Sequence, residues 1–258
     1  MRDQGLIQAI EAAGGVSNLA RQLGIAQPSV TGWARVPAER VLSVEAATGV
    51  SREILRPDLF ASLPMRSPDD EVAAARAQEY ALLSALLARA PNEEFLKQLA
   101  RLPVNATPIG MAHAALAQAA ADTDATRVAR EFFDLFIGLG RGELMPYGSY
   151  YLSGFLYERP LARLRGDLET LGIVRAEGNP EPEDHAAILC EIMAGLVGGG
   201  FGAPPEAEAQ MFERHLKPWM GRFFADLETA EGTRFYRAVG TLGRVFMDIE
   251  IEAFAMPA

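Results

Sequence analysis

The sequence holds one cysteine, Cys190, and three histidines, at positions 113, 185 and 215, among 258 residues. A lone thiol excludes an internal disulfide and argues against a cysteine-ligated metal site. The histidines lack helical metal spacing such as His-x-x-x-His, so no metal and no other cofactor is expected. No run of about 18 apolar residues occurs, which excludes a transmembrane helix. The opening Met1-Arg2-Asp3-Gln4-Gly5 has no basic-then-apolar layout, so export is not expected and the cytoplasm is the expected compartment. Alternating strand patterns of useful length and internal repeats are missing as well. What remains is 49% hydrophobic and 22% charged, the balance of a globular chain rather than a disordered one.

Charge is unevenly spread. Residues 1–60 carry six arginines and six acids, so the net charge of −10 falls entirely in residues 61–258. An acidic body repels nucleic acid and suits a basic partner. The stretch 61–68 contains Pro64 and Pro68 without periodicity and reads as a linker. Ser67-Pro68-Asp69-Asp70-Glu71 reads as a helix start, with a Ser cap, Pro in the first turn and acids against the helix dipole. Beyond it apolar residues recur at helical spacing, as in Val128–Phe136, between Pro and Gly breaks. The expectation is an all-α chain: a small head over 1–60, a linker over 61–68, and a larger helical bundle over 69–258.

Within the head, two short helical patterns, Val16–Leu23 and Gln27–Arg35, flank Gly24. A helix-turn-helix needs a small residue at the crossing, a tight turn and apolar filling. Ala20 is the small residue and Gly24 the turn, while Leu19, Leu23, Ile25, Val30 and Trp33 fill the apolar places. On the second helix Gln27, Ser29, Thr31 and Arg35 point outward as candidate DNA contacts, with Arg35 suited to guanine or phosphate. The run Trp33–Arg40 followed by Val44–Asp58 resembles the Cro/YdaS-like family of DNA-binding domains. That resemblance covers nearly all of residues 1–60 and implies a repressor-like head, usually acting as a dimer on operator DNA. A net charge of zero predicts few phosphate contacts and weak non-specific affinity.

In the body two segments stand out. Pro146-Tyr147-Gly148-Ser149-Tyr150-Tyr151-Leu152 follows a Gly-rich turn, and Glu181-Pro182-Glu183-Asp184-His185 runs into an apolar helix. Together with Phe212–Trp219 and Phe235–Val239 they resemble the TorD/DmsD family of redox-enzyme maturation chaperones, over residues 70 to the end. The resemblance implies an all-helical chaperone that binds the twin-arginine signal peptide of a molybdenum oxidoreductase and holds the apoenzyme until its cofactor is inserted. Formate dehydrogenase is the implied client. Carried over by motif, Ser149, Tyr151, Leu152, Pro182, Asp184 and His185 are the implied binding residues. Physical reasoning adds Tyr147 and Phe155 as apolar groove and Glu181 as an acid facing the arginines, in the manner of a helix lying in a groove.

Catalysis is not expected. Asp184 and His185 are sequence neighbours whose side chains diverge, and Cys190 falls roughly 140° around a helix from His185. Glu131 and Asp134 read as a solvated rim. Alanine at both 184 and 185 is expected to weaken peptide binding and leave helicity intact. Two functional readings follow: a chaperone with an accessory head, or a DNA-binding regulator whose body senses client enzyme or another ligand.

Overall fold

The computed structural model describes residues 2–60, 68–174, 181–204 and 206–256. It divides into two compact units, Met1–Asp69 and Asp70–Ala258. Of the expected linker over 61–68, residues 61–67, with the cap at Ser67, lie outside the described residues, and Pro68 is the first residue of a helix. Among those described there are sixteen α-helices and no strand, so the chain is all-α.

The smaller unit contains α1 (Gln4–Ala12), α2 (Val16–Gln22), α3 (Gln27–Thr31), a 3-10 turn leading into α4 (Val41–Thr48), then α5 (Arg52–Leu55) and α6 (Pro57–Phe60). Asp3 caps α1 by accepting from the Leu6 N–H at 2.9 Å. Gly24 takes φ +68°, a left-handed conformation open to glycine, and so makes the α2–α3 turn. Leu6, Leu19, Ala20, Val30, Val41, Val44 and Leu55 form the buried centre, with Leu23, Ile25 and Trp33 packed part-exposed around it. Gly5 lets α1 touch α5, since a β-carbon there would stand 2.8 Å from Leu55 Cα.

The expected second helix, Gln27–Arg35, ends four residues early. Gly32 closes α3 at Thr31, and beyond it the Ala34 carbonyl accepts from the Asp3 N–H at 2.8 Å, which draws the chain back toward α1.

The larger unit runs α7 (Pro68–Ala88), α8 (Glu93–Leu99), α9 (Pro108–Ala121), α10 (Ala125–Phe132), α11 (Gly148–Ser153), α12 (Arg159–Thr170), α13 (Ala186–Val197), α14 (Glu206–Met211), α15 (Met220–Thr229) and α16 (Phe235–Ala255). Two π-helical turns, Phe133–Ile137 and Phe212–Leu216, extend α10 and α14. Helix α16 is the axis of this unit. Its buried Phe235, Val239, Leu242, Phe246 and Glu250 recur every three or four residues, a continuous inward face. Gly240 and Gly243 bring it against α15, because β-carbons there would enter the Glu228 backbone and the Phe224 ring.

Two charged groups are structural here. Glu131 is not a solvated rim: its carboxylate accepts from the Thr233 hydroxyl, from the Arg234 N–H at 3.2 Å and from the Phe235 N–H at 3.1 Å, capping α16. The free amides of a helix start supply the reason. Glu250, fully buried, receives Arg76 at 2.6 and 2.7 Å and the Tyr80 hydroxyl at 2.8 Å, tying α7 to α16. Cys190 lies fully buried in the core.

Candidate functional site

The fold brings the two singled-out segments of the body onto each other. Gly148 N–H donates to the Asp184 carbonyl at 2.9 Å, and Ala186 N–H to the Pro146 carbonyl at 2.8 Å, a short antiparallel bridge. The Ser149 N–H donates to Asp184 Oδ2 at 2.7 Å, so this carboxylate caps α11 from across the bridge. The Tyr147 hydroxyl donates to Glu181 at 2.7 Å, and its ring meets the His185 ring edge-on with centroids 5.1 Å apart. Burial and the Glu181 carboxylate push the Tyr147 phenol well above its ordinary value.

His185 begins α13, its Nδ1 accepting from the Ala187 N–H at 3.1 Å. An accepting Nδ1 carries no proton, and burial lowers the His185 pKa in the same sense. Asp184 and His185 are thus both helix caps, at 3% and 7% exposure. Alanine at both positions would remove two caps worth about 1 kcal/mol each. The double change therefore carries a cost in stability beside any effect on peptide binding.

Beside the bridge opens a cavity of about 510 Å³. Gly148, Leu152 and Asp184 come from the two segments, and α12 contributes Arg163, Leu164 and Asp167. The run Arg214–Trp219 closes the opposite side, partly from the π-helical turn that extends α14. A π-turn spreads more residues over each revolution, which here places neighbouring Arg214 and His215 together on the cavity wall. Gly148 packs against Trp219, whose Nε1 would stand 3.1 Å from a β-carbon there, so a side chain would have to displace the indole slightly. The indole N–H donates to the His215 carbonyl at 2.7 Å.

The charges in the cavity are ordered. Asp167 receives Arg214 at 2.9 Å and pairs with His215 Nε2 at 2.7 Å, consuming most of its capacity. Burial nevertheless keeps the His215 pKa below its ordinary value, against the pull of Asp167. Asp184 differs: its Oδ1 is buried and has no hydrogen-bond partner, and neither has the Ser149 hydroxyl. A buried acceptor left without a partner costs about 1–3 kcal/mol, and Asp184 is one of the residues that line the cavity.

The remaining residues named from sequence are not among those that line the cavity. Tyr151 packs at a tilt against Trp219, with ring centroids 5.4 Å apart, and its hydroxyl donates to Asp226 at 2.8 Å. Ser149 and Pro182 are buried. Phe155 is 70% exposed, beside an exposed Tyr157 held at φ +61°. Sequence reasoning did not single out Arg163, Asp167, Arg214, His215 or Trp219 as site residues. The one signal that could have found the last three is the dense mixture of charge and aromatic residues in 212–219.

On the smaller unit, Gln27, Ser29 and Thr31 are exposed on α3 while Val30 points inward. Arg35 is exposed too, but it lies beyond the end of α3 and pairs with Asp58 at 3.5 Å. Asp58 is held in turn by Arg56 at 2.7 Å through two of its nitrogens.

The chain thus comprises a helix-turn-helix unit and an all-α unit that carries a partly open cavity. Residues 103–225 match the family described as nitrate reductase delta subunit, and residues 6–64 the family described as bacterial toxin YdaS. A "Chaperone protein TorD" from Shewanella loihica is 24% identical over 202 residues, 69% of this chain and 92% of that protein. Others so named, from Vibrio cholerae and Aliivibrio fischeri, are 26% and 27% identical and span 46% and 48% of this chain, and 59% and 63% of their own lengths. The resemblance is thereby shown on both sides, to the TorD family in the body and to a Cro/YdaS-like helix-turn-helix in the head. No described helix is long and apolar enough to cross a membrane.

Proposed function

We propose that this chain is a maturation chaperone for a redox enzyme, with a head over 1–60, a linker over 61–68 and a body over 69–258. The body binds the twin-arginine signal peptide of an apo molybdenum oxidoreductase, with formate dehydrogenase as the suggested client, in the cytoplasm and without catalysis. The observation that carries this reading is Asp184, a buried carboxylate whose free oxygen awaits a donor at a cavity built by both family-like segments. An arginine side chain of the peptide supplies that donor, and its apolar stretch lies along Leu152 and the exposed Phe155. Tyr147, Ser149, Tyr151, Glu181, Pro182 and His185 act behind this surface, holding the bridge in shape. The names carried by the relatives support the chaperone class.

The test is calorimetry of the full chain against twin-arginine signal peptides from the same genome, each repeated with both arginines replaced by alanine. Arginine-dependent binding is expected. Binding that survives the replacement, or no binding at all, would overturn the reading.

The exposed Gln27, Ser29 and Thr31 on α3 favour a second role, operator binding by a head dimer. In that regulator reading the body senses client supply. Gln27→Ala would then abolish a footprint made by the full chain, whereas a chain with no salt-dependent, sequence-specific footprint has no such role.

A further inference from the structure

The cavity lining balances Arg163 and Arg214 against Asp167 and Asp184, on a chain of net charge −10. Arg163 lines both the cavity and a shallower neighbouring hollow, which it shares with Arg159 and Ala162. Arg159 and Arg163 stand one turn apart on α12 and both are exposed. Neither has an ion-pair or hydrogen-bond partner among the described residues. Their neighbours do: Arg165 pairs with Glu183 at 2.8 Å, and Arg214 with Asp167 at 2.9 Å. Like charges one turn apart repel, and an anion between them relieves the repulsion. With Arg214 and Asp167 neutralising each other, the site reduces to a buried anion that lacks a donor, Asp184, and an exposed cationic edge that lacks an acceptor.

We propose that Arg159 and Arg163 form an anion-reading edge that selects client peptides carrying an acidic residue beside the donor that reaches Asp184. The proposal rests on the peptide-binding reading above and adds its specificity. An extended peptide fits better than a small anion, because the edge continues along α12 past the cavity into the second hollow. A ligand satisfying both ends must leave the cavity and run along the helix. The edge also disfavours a second cationic side chain at the mouth, so only one arginine enters.

The test uses the full chain and two labelled peptides that share one twin-arginine pair and one apolar stretch. One is flanked by aspartates and the other by lysines. Fluorescence anisotropy of the wild-type protein is expected to favour the aspartate peptide by about tenfold, the scale of two exposed ion pairs. The double change Arg159→Glu with Arg163→Glu is expected to reverse that order, while Arg101→Glu, outside the cavity lining, leaves it unchanged. Both side chains are exposed, so folding should survive, as circular dichroism would check; Arg163→Gln carries the same test if the double variant does not fold. Equal affinity of the wild type for both peptides, or an order that persists in the variants, overturns the anion-reading edge alone. Failure of the wild type to bind either peptide overturns the peptide reading and this proposal with it.

Discussion

Replacing Asp184 by asparagine separates what that side chain does for the fold from what it offers a ligand. In the wild type Oδ2 accepts from the Ser149 N–H at 2.7 Å, while Oδ1 has no partner in a side chain only 3% exposed. Asparagine keeps the shape and the acceptor for Ser149 but removes a buried charge that is only half satisfied. Stability should rise by about 1 kcal/mol, since an unfilled buried acceptor costs about 1–3 kcal/mol and the amide recovers part of that. In a unit of this size that is a melting shift of about 2–4 °C upward. Peptide binding should move the other way. A hydrogen bond to a charged group is worth about 1.5–3 kcal/mol, so affinity for an arginine-bearing peptide should fall by about ten- to a hundredfold. Asp184→Ala should lie on the other side of the wild type in stability, because it strands the Ser149 N–H without an acceptor. The assays are scanning calorimetry for the order Asn above Asp above Ala, and titration calorimetry for the affinity. An asparagine variant clearly less stable than the wild type would refute the claim that Oδ1 is an unmet acceptor. Unchanged peptide affinity would refute its role as the arginine receptor.

Glu250→Ala should cost about 3–5 kcal/mol in chemical denaturation, because it strands the Arg76 guanidinium and the Tyr80 hydroxyl; replacing all three by Leu, Met and Phe should recover most of that. Gly240→Ala should destabilise the body by about 1–3 kcal/mol in thermal melts, since its β-carbon meets the Glu228 backbone rather than a movable side chain. The three histidines should separate in an NMR pH titration of their ring protons. His113 should titrate above 6.5 because the Glu79 carboxylate holds its proton, while burial places His185 and His215 below 6.5. The linkage signs are opposite: His113 adds stability that is full below pH 6.5 and lost as pH rises through its raised value. His185 and His215 add stability that is present above pH 6.5 and lost as pH falls toward their lowered values. A His185 titrating above His113 would contradict the accepting role of its Nδ1.

The helical class, the helix-turn-helix and the two segments at 146–152 and 181–185 were legible in the sequence because each rests on local order. Period, caps and turn glycines such as Gly24 act over a few residues, and no long-range contact is needed to read them. Arg35 marks the limit of that kind of reading. Its periodicity extended α3, yet Gly32 and the hydrogen bond between Asp3 and Ala34 ended the helix at Thr31. Glu131 shows the same limit, since its exposed-looking spacing on α10 says nothing of the amides of α16 a hundred residues away. The cavity is wholly a tertiary product. Arg163 and Asp167 come from α12, His215 and Trp219 from a π-helical turn and the chain after it, and Asp184 from a bridge to Gly148. Residue types alone indicated an acidic receptor, because the net charge of the body is a sum over its whole surface. Only folding sorted those charges, spending Asp167 on Arg214, burying Asp184 with one oxygen unpaired and leaving Arg159 and Arg163 exposed along α12.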